Sequence, residues 1–384
     1  MIGPRQEPSA VSFQRRGKLC NLDSPPDEVL RRIFDCLLEE TTHPEFVVAS
    51  ITPHWRKVAL GIPSLWTTVR VNHDRQISAL GDILPRSKTL PLNVYIRLEA
   101  FKYRFFTEYI EAIDALLPHI TRWRSLSITA TNPVLYNIRN RIQRLAMPAL
   151  ESFELIQSDT GRIQHLGPFV FEPSVFRSLR VERTMIYAAD ATMLAGLTHI
   201  ELVQSSLAML DEHKLLSLEY PTPEQRAPSM TALQRLVLDA SNPVPYGIPY
   251  SPAFSAAHLT SVCFTRLAAP SMDLVQALSH VYGTALAAPV LTELTITEIH
   301  GHALVMLLAV VRATRFPTLR ALTLADIDTA GIDDQVVHAF AGGVAQLALA
   351  RLDATPILTR LADPAVWPSL ERIELDGAEV PRPQ

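Results

Sequence analysis

The sequence is poor in cysteine and glycine, and each scarcity argues against a class of site. Its 384 residues include only three cysteines, Cys20, Cys36 and Cys263, and no C-x-x-C pair, which argues against a disulfide framework or a zinc finger. Glycine occurs only 14 times, and none of the glycine-rich motifs that cradle phosphate groups is present. We therefore expect reduced thiols in a cytoplasmic or nuclear protein that holds no cofactor.

Strong charge and long apolar runs are also missing. The formal net charge is −4 and the pI about 6.3, so neither nucleic acid nor an anionic membrane is expected as a partner. The longest strongly apolar run, residues 303–311, has nine residues, whereas a membrane-spanning helix needs roughly 20. The first 20 residues lack the apolar core of a secretory signal. These absences predict no membrane partner.

Catalytic motifs are absent as well. The sequence contains no G-x-S-x-G, no H-E-x-x-H and no Walker-type G-K-[ST], and its 12 histidines are scattered. We therefore predict that the chain is not an enzyme and carries neither a catalytic residue nor a metal site. A hydrolase or transferase whose site is assembled from distant residues is the remote alternative.

Residues 1–21 show no periodicity and are predicted to be disordered, whereas helical signals begin directly after them. Ser24 followed by Asp27 forms a capping box, with Pro25 at the first helical position. The apolar residues that follow recur on one side of a helix. They are Val29, Leu30, Ile33, Phe34 and Leu37.

Two more short helices are indicated before residue 70. Thr42 with Glu45 starts one, and Thr52 followed by Pro53 starts the next, which Gly61 ends. Three short helices over about 40 residues bury little surface, so such a unit is marginally stable alone. Its apolar side is expected either to dock on a partner or to pack on the following domain.

The same residues resemble the F-box. The run Pro25-Pro26-Asp27-Glu28-Val29-Leu30-Arg31-Arg32-Ile33-Phe34 looks like the opening of that motif. Trp55-Arg56-Lys57-Val58-Ala59, followed by Pro63-Ser64-Leu65-Trp66, looks like its third helix and the flanking turn. The similarity covers residues 22–70 and is greatest to F-box-like proteins of mushroom-forming fungi.

This resemblance implies specific contacts. F-box helices dock on the Skp adaptor, which connects them to a cullin-based ubiquitin ligase. Carried over by position, the adaptor contacts would be Pro26, Val29, Leu30, Ile33 and Phe34. Trp55 and Trp66 would pack within the box or at its edge.

A repeating pattern of the form apolar-x-x-apolar-x-apolar fills the rest of the chain, 71–384. An alternating strand at residues 92–98 precedes it. The middle apolar residues of the pattern are Leu126, Phe153, Leu179, Ile200, Leu236, Val262, Leu294, Leu322 and Ile373, with one degenerate unit at Leu347. Below they are called the middle anchors.

The middle anchors recur about every 27 residues, within the range of leucine-rich repeats, which this region resembles. Segments between them read as helices, at residues 106–117, 271–281, 301–314 and 333–341. Strand followed by helix, repeated, makes parallel strands linked by crossovers. We therefore predict an α/β protein: a three-helix F-box followed by an irregular, leucine-rich-repeat-like α/β solenoid with a parallel sheet. A more closed α/β domain is the alternative.

The fifth residue after each middle anchor departs from the typical repeat, which places Asn or Cys there. Here the early units carry hydroxyl groups and the later ones apolar side chains. Hydroxyls can also bond the backbone of a turn. The positions read Thr131, Ser158, Thr184, Ser205 and Ser241, then Leu267, Ile299, Ile327 and Ala378.

Residues that alternate with the anchors should point to the open face of the sheet, and acids outnumber arginine among them six to one. We predict that Glu154, Glu182, Glu201 and Asp239 bind a protein target that presents basic groups. The alternative is that they are ordinary solvated strand residues. The combined prediction is a substrate-recognition subunit of a Skp–cullin–F-box ubiquitin ligase; the alternative is a repeat-based interaction scaffold without a ligase role.

Overall fold

The computed structural model covers the chain with gaps and divides it into two compact units. It describes residues 25–40, 44–72, 74–98, 106–143, 145–159, 164–188, 194–209, 230, 232–239, 257–267, 288–314, 316–329, 332–361, 366–376 and 378–380. One unit comprises Met1–Thr67 with Leu84–Lys88, and the other Thr68–Ile83 with Thr89–Gln384. Residues 1–21, predicted to be disordered, lie outside the described residues.

The first unit is helical. It contains α1 (Asp27–Glu40), α2 (Pro44–Ile51), α3 (Pro53–Leu60) and a 3-10 turn at Pro63–Trp66. Helix α1 begins at Asp27, two residues later than predicted. Pro26 directly precedes the helix, and its carbonyl accepts hydrogen bonds from the amides of Val29 and Leu30 at 3.0 and 3.1 Å. Ser24, the predicted cap, lies outside the described residues.

Helix α3 starts where its sequence predicts. Thr52 is extended and its Oγ1 accepts from the backbone N–H of Trp55 at 3.2 Å, while Pro53 occupies the first turn. A threonine cap satisfies one of the amides that a helix start leaves unpaired. The predicted end at Gly61 also agrees, although Gly61 has φ −86°, so no left-handed turn is involved.

Replacing this cap gives a modest, measurable loss. We expect Thr52→Ala to lower the free energy of unfolding by about 1 kcal/mol, because the Trp55 amide loses its acceptor. Chemical denaturation followed by far-ultraviolet circular dichroism measures the change. Ser50→Ala is the matched control: Ser50 lies inside α2, where its hydroxyl bonds only the carbonyl of Val47. An equal loss of unfolding free energy in both variants would show that the cap stabilises the protein no more than the hydroxyl of Ser50 does.

The second unit is built on a sheet of 13 strands whose order follows the chain. The strands are β1 (Thr68–Val71), β2 (Leu92–Leu98), β3 (Trp123–Ala130), β5 (Ser152–Gln157), β7 (Ser178–Glu182), β9 (His199–Val203), β11 (Arg235–Asp239), β12 (Ser261–Thr265), β13 (Glu293–Thr297), β14 (Ala321–Ala325), β15 (Gln346–Ala350), β16 (Arg372–Leu375) and β17 (Ala378–Val380). The first twelve are parallel, and β17 pairs antiparallel with β16. The prediction of an α/β protein with a large parallel sheet is confirmed.

The middle anchors lie opposite one another across the sheet. Leu126 pairs with Phe153, and the register continues unbroken from strand to strand through Leu322, Leu347 and Ile373. All anchors are buried, so they form one apolar row on the covered face. The degenerate unit at Leu347 is therefore a true strand. Strand β1, which the pattern missed, extends the same row through Val69.

A second set of backbone bonds links successive units just before each strand. The amide of Arg177 donates to Glu151 O at 2.8 Å, and that of Thr198 donates to Arg177 O at 2.8 Å. The ladder continues through Gln234 and Thr260, and on to Glu371. Each strand and the turn before it are thus hydrogen-bonded to the neighbouring strand and its turn.

Among the described residues, the segments between the strands of the large sheet include both helices and short strands. Helices are α4 (Asp74–Arg86), α5 (Phe106–Leu116), α6 (Asn132–Ile142), α7 (Gly301–Ala313), α8 (Asp334–Ala341) and α9 (Thr355–Leu361). Strands β4 (Ala146–Met147), β6 (Gln164–Phe171), β8 (Thr184–Ala188) and β10 (Ser206–Met209) form a second, parallel sheet.

Three of the helices predicted between anchors agree with α5, α7 and α8. The fourth, predicted at residues 271–281, lies outside the described residues. The second sheet was not predicted, because its segments carry no sustained alternation of apolar and polar residues. Phe169 and Phe171 of β6 pack on Phe153 of the large sheet, with ring centroids 5.1 and 5.6 Å apart.

Candidate functional site

The five residues predicted to contact an adaptor divide into two groups. Val29 and Ile33 are 45% and 36% exposed, and Pro26 is exposed at the start of α1. Leu30 and Phe34 are 0% exposed. Because Val29 and Ile33 are one turn apart, they form an exposed apolar pair, whereas Leu30 and Phe34 form the buried side of the same helix.

The two tryptophans predicted to pack within the helical unit are buried in it. The ring of Trp55 lies 5.4 Å from that of Phe34, centroid to centroid, at a tilt of 58°. Trp66 Nε1 donates to the carbonyl of Ala59 at 3.0 Å, and the guanidinium of Arg86 lies 4.6 Å from its ring centroid. Both rings therefore hold the helices together and leave docking to other side chains.

Three further apolar side chains of this unit are exposed. Val47 and Ile51, one turn apart on α2, are 50% and 41% exposed, and Leu60 of α3 is 43% exposed. The apolar periodicity of the sequence predicted the helices. It could not predict which of the apolar residues the unit buries and which it exposes. Among the described residues, each of α1 and α2 therefore exposes a pair of apolar side chains.

Three of the four acids selected on the sheet converge on one arginine. Arg180 of β7 lies 3.3 Å from Glu154 of β5, 3.3 Å from Glu201 of β9 and 3.7 Å from Glu182 of its own strand. Glu154 also accepts from the hydroxyl of Ser127 at 2.5 Å. The cluster therefore carries three carboxylates against one guanidinium, on the open face of neighbouring strands.

Asp239 is separate from this cluster and largely buried. Its side chain is only 8% exposed, and its Oδ1 accepts from Arg266 Nε at 3.0 Å while Oδ2 pairs with Nη2 of the same arginine. The hydrogen bond with Asp239 raises the pKa of Arg266 above its ordinary value, against the opposing effect of desolvation. This bidentate pair ties β11 to the turn after β12 and leaves Asp239 little capacity to bind a target.

The hydroxyls five residues after the anchors fulfil their predicted role only in part. Ser205 Oγ donates to Val203 O at 2.8 Å and accepts from the amide of Thr184 at 3.0 Å. In contrast, the side-chain oxygens of Ser158 and Thr184 are buried without a hydrogen-bond partner among the described residues. In the later units the position is filled by Leu267, Ile299 and Ile327, all buried.

The part of the chain that the structure describes shows neither a cluster of metal-ligating side chains nor a helix able to cross a membrane. Nowhere in it do three or more His, Cys, Asp or Glu side chains come together as metal ligands. No helix in the same part is both long enough and apolar enough to cross a bilayer.

A scan against models of protein families gives no match, and a search of curated proteins gives none.

Proposed function

We propose that the chain is a substrate-recognition subunit of a Skp–cullin–F-box ubiquitin ligase that acts in the cytosol or nucleus. Its helical unit, an F-box, docks the Skp adaptor and through it a cullin. The sheet-bearing unit, an irregular leucine-rich-repeat-like solenoid, binds a protein target. The observation that carries the proposal is the pair of exposed apolar side chains on each of α1 and α2.

The distribution of exposed apolar side chains supports a docking role for the helical unit. Among the described residues, ten large apolar side chains are exposed, and five of them lie on α1, α2 and α3. The other five are spread over the far longer second unit. Single exposed apolar residues are ordinary on a protein surface, but a concentration in one small unit is typical of an interface. An apolar helix face that enters a groove is a common mode of recognition.

The strand order supports the solenoid. Each anchor-bearing strand pairs with the next one along the chain, and one crossover separates them. Contacts between successive units then dominate, which defines a repeat architecture. In this arrangement the open face of the sheet presents one row of side chains per strand and offers a broad surface for a target.

The proposed mechanism is proximity, without catalysis by this chain. The solenoid holds a target, the F-box holds the ligase, and the effective concentration of one near the other accelerates transfer of ubiquitin. No catalytic residue is required of the chain.

The burial of Leu30 and Phe34 favours a second candidate function. The family resemblance assigns both residues to the adaptor contact, yet neither exposes any surface. With fewer residues left for the adaptor, the chain would serve as a repeat-based interaction scaffold without a ligase role. The two functions differ in one measurable property, which is adaptor binding.

Co-purification of the full chain with the Skp adaptor tests this directly. We expect the native chain to retain the adaptor and Val29→Ser/Ile33→Ser to weaken binding by at least about 30-fold, since truncating a residue that contributes to an interface costs more than about 1 kcal/mol. The substitutions remove exposed apolar surface and leave the core of the unit intact. Affinity is measured by biolayer interferometry on the purified adaptor.

The matched control is Leu90→Ser/Val305→Ser, which removes two exposed apolar side chains from the second unit. It should bind the adaptor as tightly as the native chain. If the folded native chain does not bind the adaptor, the ligase role is excluded and the scaffold remains. If both double variants bind equally well, the exposed pair on α1 is not the docking surface.

A further inference from the structure

A cleft of about 370 Å³ opens at the carboxyl ends of β3, β5 and β7. It lies where the crossovers change type, because β3 is followed at once by α6, whereas β5 and β7 are followed by strands β6 and β8. Its walls are mainly polar. The lining residues are Thr131, Ile156, Gln157, Ser158, Asp159, Glu182 and Arg183.

Two carboxylates in this cleft are only partly engaged. Asp159 Oδ1 accepts from the amide of Asn132 at 3.1 Å, and Glu182 Oε2 lies 3.7 Å from Arg180. Within the described part of the chain, the second oxygen of each takes part in no hydrogen bond or ion pair. Each carboxylate therefore keeps an oxygen that can accept from a ligand.

A buried hydroxyl gives an independent indication of a polar ligand. Ser158 lines the cleft, and its Oγ is buried with no hydrogen-bond partner among the described residues. Buried polar atoms are nearly always paired in folded proteins, so an orphan beside a cleft points to a polar group that enters it.

The charge of the cleft selects a cation. Arg183 supplies the only positive charge of the lining, and its Nε already donates to Gln204 Oε1 at 3.1 Å. Two carboxylates against one guanidinium leave the lining at −1. The adjoining Glu154 and Glu201, set against Arg180, add a further −1. An acidic ligand would meet like charge, and an apolar one would leave the carboxylates and hydroxyl unpaired.

We propose that this cleft receives a lysine or arginine side chain of the protein target. Asp159 and Glu182 accept hydrogen bonds from its charged end, and Ile156 packs against its methylene groups. The proposal rests on the proposed function, since it names the chemistry that the recognition surface selects. It also moves the predicted contact with a basic target from Asp239, which is occupied by Arg266, to Asp159 and Glu182.

Peptide selection on the full chain tests the inference. A phage-displayed library of random dodecapeptides is panned on the immobilised protein, and the tightest peptide is resynthesised with citrulline, the neutral isostere of arginine, or with norleucine in place of lysine. We expect arginine or lysine to be enriched at one position and the neutral peptide to bind about tenfold to hundredfold more weakly, the range that a charge-assisted hydrogen bond supports.

Variants of the protein assign the effect to the cleft. Glu182→Gln and Asp159→Asn keep the shape and an acceptor, and each should weaken the basic peptide at least about tenfold. Glu374→Gln, on the same face at β16, is the control and should stay within about twofold. Thermal midpoints of all three variants should match that of the native chain, which separates recognition from folding.

Four results would overturn the inference: no peptide is enriched, the enriched peptides lack basic residues, the neutral peptide binds equally well, or the two cleft variants bind like the control. The ligase role fails separately, through loss of adaptor binding by the native chain. A chain that binds basic peptides in the cleft but not the adaptor would be a scaffold with this specificity.

Discussion

Phe34→Ala should unfold the helical unit. Phe34 is 0% exposed and packs on the ring of Trp55, which is itself 7% exposed. Truncating a buried phenylalanine costs about 3–5 kcal/mol, since both the transfer energy and the cavity count against the folded state. A unit this small has little stability in reserve, so a loss of that size is enough to abolish its structure.

Hydrogen exchange measured by mass spectrometry follows each unit separately. In Phe34→Ala we expect the amides of α1, α2 and α3 to lose their protection, while those of β12 to β15 keep theirs. Ile33→Ala is the matched control: Ile33 is the preceding residue on the same helix and 36% exposed, so its truncation should cost less than about 1 kcal/mol. Protection retained in Phe34→Ala, or lost equally in Ile33→Ala, would contradict the assignment of Phe34 to the core.

This contrast also marks what the sequence of the helical unit can predict. Apolar spacing identified all three helices, and Thr52 with Pro53 located the start of α3. The spacing could not distinguish the exposed Val29 and Ile33 from the buried Leu30 and Phe34. All four lie on one broad apolar stripe of the helix. Which part of that stripe is buried depends on how α3 and the 3-10 turn pack, and that is a tertiary property.

The sheet was more predictable than its cover. Every predicted middle anchor lies in one row of the parallel sheet, because burial on the covered face demands an apolar side chain at the same place in each strand. The segments that cover the sheet are less restricted in their apolar pattern, because either a helix or a short strand can cover the anchors. This is why β6 and β8 were missed while α5, α7 and α8 were found.

The acidic face was predictable in part. Glu154, Arg180 and Glu201 each follow a middle anchor directly, so their proximity was already implied by the register. The turns after the strands were not. Among described non-glycine residues, six at the fourth position after an anchor have φ between 50° and 55°. They are Arg183, Gln204, Arg266, Glu298, Asp326 and Arg351. Without glycine or asparagine there, no residue type signals the left-handed turn that shapes the cleft.

Gly196→Ala should destabilise the second unit more than any other glycine substitution that the described residues offer. A Cβ at Gly196 would overlap the carbonyl oxygen of Pro173 and make a tight contact, at 3.0 Å, with that of Phe176. Both carbonyl oxygens are backbone atoms of the turn before β7. Arg177 bridges these same turns, because its Nη1 donates to the carbonyls of Pro173, Phe176 and Gly196 at 3.3, 3.2 and 3.2 Å.

The methyl group would therefore push the turn before β9 away from the turn before β7 and break the contacts of Arg177. The backbone hydrogen bond from Thr198 to Arg177 lies next to these contacts. Overpacking costs about 1–3 kcal/mol where side chains can yield, so a clash with fixed backbone should exceed about 3 kcal/mol and lower the melting temperature by several degrees. Gly81→Ala in α4 is the matched control: no atom lies within 4 Å of its Cβ position. It should raise stability by about 0.5–1 kcal/mol, since alanine favours a helix. If Gly196→Ala melts at or above the native temperature, the two turns are not in the close contact on which this stacking of units depends.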